Sequence, residues 1–223
     1  MPKFLLLFEK GESVRWLGHL DILRTFERAI RRAGLPIAFS QGFNPRERLA
    51  FASALSTGVT GAEERATLEL MEPLETDQIV AQLNAALPPG LRITHCEPLT
   101  AEEARATLNR WDRAEYTVVC TCPAQTRFEA AVAAVEALLA CPRIPIVRER
   151  EGKTKTLDIR PYLYRLAVEV GSLSEGRVTL RLCVGQGENG TAKPQEVVSA
   201  LAEYLPGLKP RRVHRVQLLT SRM

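Results

Sequence analysis

Apolar and polar positions alternate along this chain in two registers, one of period 3.6 and one of period 2, and their order predicts the architecture. Phe4 to Phe8 is a short apolar run closed by Lys10-Gly11-Glu12, as in a buried strand. From Leu20, the apolar residues Leu20, Leu23, Phe26, Ile30 and Ala33 recur at helical spacing, so a helix is expected over His19 to Ala33 with that stripe packed. Asp21 suits the positive helix start, and Gly34-Leu35-Pro36 stops it. A minor strand at Ile37 to Phe39 leads into Ser40-Gln41-Gly42-Phe43-Asn44-Pro45-Arg46-Glu47-Arg48, which is turn chemistry. Strands are predicted at Leu49 to Leu55, Ala66 to Met71 and Leu91 to Cys96, with a helix at Thr76 to Ala86.

Thr100-Ala101-Glu102-Glu103 is a capping-box pattern opening a connecting helix toward Arg110. The order then repeats: strand Tyr116 to Thr121, helix Gln125 to Leu139, strand Ile144 to Arg150, an extended stretch Lys155 to Ile159, strands Tyr164 to Val170 and Arg177 to Val184, helix Pro194 to Tyr204, strand Val213 to Leu219. Two successive β-α-β-β-α-β sets predict an α+β protein of two ferredoxin-like (split βαβ) domains in tandem, the second with an extra hairpin. The expected division is residues 1–98, a linker helix at 99–113, and residues 114–223.

Charge changes this picture more than composition does. Residues 15–48 hold seven arginines against three acids, whereas residues 63–103 hold nine acids against two arginines. A net charge of +4 is therefore concentrated into a patch. Arg24, Arg28, Arg31 and Arg32 lie largely off the apolar stripe of the first helix, and the loop adds Ser40, Gln41, Phe43, Asn44, Arg46 and Arg48. Guanidinium forks for phosphate and an aromatic ring for an unpaired base are the combination that single-stranded RNA requires. The competing expectation is a solvated helix face stabilised by pairs such as Glu27 with Arg31. A second basic and aromatic cluster, Lys153, Lys155, Arg160, Tyr162, Tyr164 and Arg165, would extend such a groove or serve as a charged edge strand. Pro161 should bend that segment.

Catalytic and metal signals are thin. His19, near Asp21, is a weak candidate for acid–base work and otherwise a packing residue. Cys120 and Cys122 sit two apart on a strand and His95-Cys96 adds neighbours, but paired turn ligands for zinc are missing. Gly185-Gln186-Gly187-Glu188-Asn189-Gly190 spells G-x-G-x-x-G, yet Lys209 to Arg212 offers no acid for a ribose, so a glycine-rich connection is expected. Five cysteines fit thiols in a reducing cytoplasm, and no apolar run approaches the roughly twenty residues that span a bilayer.

The run HLDILRTFERAIRRAGLPIAFSQGFNPRERLAFASALSTGV resembles the N-terminal signature of bacterial radical-SAM-associated (radical-SAM-linked) proteins, with further echoes at Lys153 to Leu163 and Ala192 to Leu201. The resemblance implies a companion role beside a cobalamin-binding radical SAM protein. This chain has no three-cysteine cluster motif, so S-adenosylmethionine, the iron–sulfur cluster and cobalamin are expected only in that partner. The expected function is an accessory RNA-binding or substrate-presenting protein. An RNA-acting enzyme using His19 and a pure protein-interaction module are the alternatives.

Overall fold

The computed structural model describes residues 1–150, 152–174, 176–187 and 190–220. The chain forms a mixed α and β protein that divides into two compact units, Met1–Trp111 and a second beginning at Asp112. Among the described residues there are five α-helices, and no helix is long and apolar enough to cross a membrane.

In the first unit, β1 (Lys3–Lys10), α1 (His19–Arg32), β2 (Leu49–Phe51), β3 (Val59–Glu69), α2 (Thr76–Ala86) and β4 (Leu91–Leu99) follow in chain order. Antiparallel pairing places the strands as β4-β1-β3-β2. Period-2 alternation then sorts the faces: Phe4, Leu6, Phe8, Ala66 and Leu68 join Phe26, Ile30, Ile79 and Leu83 in one core beneath α1 and α2. Phe26 is its centre, meeting the ring of Phe8 edge-on at 4.9 Å and that of Phe51 at 5.3 Å.

That aromatic contact rotates α1 away from the expected stripe. Ile22, Phe26, Ala29 and Ile30 are buried, while Leu20 is 62% exposed. Leu20 lies at i, i+4, i+8 and i+11 with Arg24, Arg28 and Arg31, on the solvent strip. Strand boundaries differ as well. The expected strand Leu49 to Leu55 stops at Phe51, and β3 starts at Val59 instead of Ala66. Its first half carries buried Thr60 and Glu64, and a Cβ at Gly61 would collide with the Glu64 carboxylate, so polarity conceals the strand. Facing it, Lys10 is also buried and donates to the carbonyls of Arg15 (3.0 Å) and Leu17 (2.8 Å). Ile37 and Phe39 make only isolated bridges, to Leu70 and Glu47.

Helix α3 (Ala101–Asn109) belongs to this unit, packed against β1, β3 and β4. It approaches the sheet face that carries Lys3, Thr67 and Glu69. The capping box forms as expected: Glu103 N–H donates to Thr100 Oγ1 at 3.2 Å, and Thr100 N–H donates to Glu103 Oε2 at 2.7 Å.

The second unit runs β5 (Arg113–Thr121), α4 (Phe128–Ala140), β6 (Pro145–Arg150), β7 (Lys153–Asp158), β8 (Leu163–Val168), β9 (Arg177–Gly185), α5 (Pro194–Leu201) and β10 (Lys209–Leu219). Its antiparallel sheet has the order β10-β5-β9-β8, and β6 with β7 forms a separate two-stranded hairpin. Burial alternates along β5, where Ala114, Tyr116, Val118 and Cys120 point inward. The bend expected at Pro161 is a 3-10 turn, Arg160–Tyr162. The glycine run has a packing role: a Cβ on Gly190 would overlap the Tyr162 ring, and Gln186 donates to the Tyr116 hydroxyl at 2.7 Å. Glu188 and Asn189 of that motif lie outside the described residues.

Replacing Phe26 by Ala removes a fully buried ring from the three-phenylalanine contact. A loss of about 3–5 kcal/mol in unfolding free energy is expected, read from the urea midpoint at unchanged slope.

Candidate nucleic-acid interface

Helix α1 and the loop that follows it are tied together by an ion pair between Arg31 Nε and Glu47 Oε1 at 2.7 Å. The pairing of Arg31 with Glu27 expected from helical spacing is displaced by this longer-range contact. Glu47's side chain is only 2% exposed, whereas that of Arg31 is 66% exposed. The hydrogen bond from Arg31 to Glu47, followed by their charge attraction, raises the guanidinium pKa further above its ordinary value. Arg31 therefore stays charged at every working pH.

The loop itself is closed by its own backbone. Ser40 N–H donates to the Arg46 carbonyl at 2.8 Å, Arg46 N–H donates to Ser40 Oγ at 2.9 Å, and Arg48 N–H donates to the Ala38 carbonyl at 2.8 Å. These bonds use Ser40 as a structural acceptor. Gly42, at φ 134°, takes a backbone conformation closed to most side chains, and Phe43 beside it is fully exposed. Gln41 and Asn44 are exposed as well. An aromatic ring held in water at the tip of a hydrogen-bonded loop is a costly arrangement for a monomer and a useful one for stacking.

On the helix, Arg24 and Arg28 are exposed. Arg24, Arg28, Arg46 and Arg48 make no ion pair with an acid among the described residues. Arg32 leaves this set, donating to the Ala86 carbonyl at 2.6 Å. Two residues that the sequence did not offer for binding, one of them expected in the core, join the surface at the start of α1. Trp16 is 67% exposed with the Arg15 guanidinium 4.6 Å from its ring, and Leu20 continues the arginine strip. His19 meets Phe51 edge-on at 5.7 Å, which is a packing contact.

Behind the loop lies a cavity of about 510 Å³ within the first unit. Its basic residues are Lys3, Arg46, Arg48 and Arg105; its acids are Glu47 and Glu69, and Ala50, Ala101 and Leu108 contribute apolar surface. Lys3 Nζ and Glu69 Oε2 pair at 2.5 Å. Arg105 could have been noticed from the sequence, because Ala101, Ala104, Arg105 and Leu108 fall on one face of α3.

The second basic cluster sits in the second unit. Lys153 and Lys155 are exposed on β7. Arg160 is occupied internally, donating to the carbonyls of Leu163 (3.2 Å) and Leu139 (3.1 Å). Asp158 accepts from the backbone N–H groups of Ile144 (2.8 Å) and Arg160 (3.0 Å), which lowers its pKa from the usual aspartate value. Arg113 stacks on Tyr164 at 4.0 Å.

Among the described residues, no group of three or more His, Cys, Asp or Glu side chains is placed to hold a metal ion. Burial pushes the Cys96 and Cys120 thiols up to about 12, so both stay protonated and inert.

Fold and surface define a mixed α and β protein whose first unit presents a cationic, aromatic face. The chain belongs to a family described as uncharacterized protein conserved in bacteria (DUF2344), whose model matches residues 3–194. Among solved structures, it is similar to a chain of a Cbf5-Nop10-Gar1 complex, at 10% identity and a TM-score of 0.56. It is also similar to a chain of the archaeal box H/ACA sRNP Nop10-Cbf5 complex, at 11% identity and 0.52. Each match covers 96% of this chain and 48% or 47% of the other, so the chain spans about half the length of these structures. No curated protein matches it.

Glu103 keeps a pKa below the usual glutamate value because Thr100 donates to its carboxylate. This depressed value means that the cap stabilises α3 above the normal glutamate range and is lost as acid protonates Glu103. Thr100→Ala should weaken α3 by about 0.5–2 kcal/mol. Hydrogen exchange of the 101–109 amides at pH 7 should accelerate in the variant, and in the wild type the same amides should lose protection selectively as the pH falls below the usual glutamate range.

Proposed function

We propose that this chain is an RNA-binding or substrate-presenting accessory protein that works with a radical SAM enzyme in RNA modification. The observation that carries the reading is the strip of Arg24, Arg28 and Arg31, joined by the Arg31–Glu47 pair to a loop bearing exposed Phe43. The uncompensated guanidinium groups of Arg24 and Arg28 attract a phosphate backbone, and exposed rings accept unpaired bases. Both units carry strand orders suited to ferredoxin-like, split βαβ modules, and we read them as such. Likeness of fold to a chain from a ribonucleoprotein supports an RNA partner over a generic anion. The radical SAM partnership rests on the signature between His19 and Val59, and S-adenosylmethionine, the iron–sulfur cluster and cobalamin would all reside in that partner. Lys153 and Lys155 on the β6–β7 hairpin are the second unit's candidates for phosphate contact; Arg160, held by two carbonyls, serves the fold first.

Polarisation binding of single-stranded RNA across a salt series tests the reading. Log affinity should fall steeply with log salt, and Arg24→Glu/Arg28→Glu should flatten the slope by about 1.4, roughly 0.7 for each phosphate no longer neutralised. A slope unchanged in that variant, or no binding at low salt, would reject the α1 surface.

A further inference from the structure

The cavity behind the loop has a charge balance that the exposed strip does not explain. Four basic residues line it against two acids, each holding one ion pair: Glu69 with Lys3 at 2.5 Å, and Glu47, through Oε1 alone, with Arg31 at 2.7 Å. Arg46, Arg48 and Arg105 remain, with no acid partner among the described residues. They come from two separate segments, the loop and α3, yet line one space. Strand register agrees with this placement. Ala50 pairs with Thr67, so Arg48 and Ala50 share the face on which Lys3, Thr67 and Glu69 look toward α3, whose Ala101, Ala104, Arg105 and Leu108 form the opposing wall. A volume of about 510 Å³ lies within the range of small-ligand sites and is the size of one nucleotide rather than a strand. Three guanidinium forks around it exceed what one internal phosphodiester, with a single negative charge, would require. They match a terminal phosphate monoester, which carries nearly two charges at neutral pH and three acceptor oxygens.

We propose that this cavity binds a nucleoside 5′-monophosphate, with the phosphate on Arg46, Arg48 and Arg105 and the base against Ala50, Ala101 and Leu108. Its choice of ligand rests on the RNA reading above, and it makes the 5′-phosphorylated end of an RNA chain the preferred ligand. A free mononucleotide offers the same chemistry, and the test separates the two.

Two single-stranded RNAs of one sequence, one with a 5′-phosphate and one with a 5′-hydroxyl, are titrated by polarisation through a 3′ fluorophore. The proteins are wild type, Arg105→Ala, which keeps the helix but removes a fork, and Leu108→Trp, which fills the cavity without changing charge. Melting curves establish that both variants fold. The 5′-phosphate should tighten wild-type binding about tenfold. Both variants should lose that advantage, and AMP but not adenosine should compete for it. Equal affinity of the two RNAs for wild type, or an advantage that survives in both variants, overturns the inference. Where both RNAs bind equally and with strong salt dependence, the pocket reading fails while the RNA surface stands. Where neither RNA binds but calorimetry shows AMP binding abolished in Arg105→Ala, the RNA reading fails and the cavity stands as a free-nucleotide site. Binding of neither RNA nor AMP overturns both.

Discussion

Everything that α1 offers to solvent depends on how Phe26 is seated. Its ring, closed between Phe8 and Phe51, sets the rotation of the helix on the sheet. Edge-to-face packing in a close-packed core tolerates little rotation about the helix axis. Because Ile22 and Ala29 turn inward with Phe26, the strip Leu20, Arg24, Arg28 and Arg31 must turn outward. Three arginines on one exposed helical strip repel one another at close range. Glu47 relieves part of this cost by accepting from Arg31, and that same bond draws the loop to the helix. Packing thus positions charge, and charge positions the loop.

A second consequence concerns α3. The sheet of the first unit would be covered on one face only by α1 and α2; α3 lies over the other and, with the loop, leaves a partly apolar space lined by arginines. The capping box defines where α3 starts, and its face of small residues Ala101 and Ala104 leaves room beside Thr67 and Ala50. Larger side chains at those positions would fill the cavity. In the second unit, polar groups serve mainly as internal fasteners: Arg160 on two carbonyls, Asp158 on two amides, Arg148 on Glu196 at 2.6 Å. Function read from charge alone would give both clusters equal weight, and hydrogen-bond accounting separates them.

Much of the fold was legible because periodicity and caps act locally. The helices at Thr76–Ala86 and Ala101–Asn109 and the turn at Pro161 follow from signals within a few residues. What was not legible depended on distant partners. Leu20 reads as core until the aromatic contact of Phe26 with two strands rotates the helix. The first half of β3 reads as a polar connection because its inward residues, Thr60 and Glu64, are buried polar groups near buried Lys10. Arg31 reads as paired with Glu27 one turn away, whereas its partner is sixteen residues on. The loop from Ser40 to Arg48 was visible by its composition; the cavity behind it was not, since Lys3, Arg48 and Arg105 meet only through sheet register and the docking of α3.

The most direct test of the central claim is photocrosslinking of a 4-thiouridine single-stranded RNA to the full chain, with the modified peptides mapped by mass spectrometry. Crosslinks should concentrate at Phe43 and Trp16, the exposed rings on the loop and just before α1. Crosslinks confined to the second unit, or spread without preference over the surface, would contradict the account and remove α1 and its loop from the binding face.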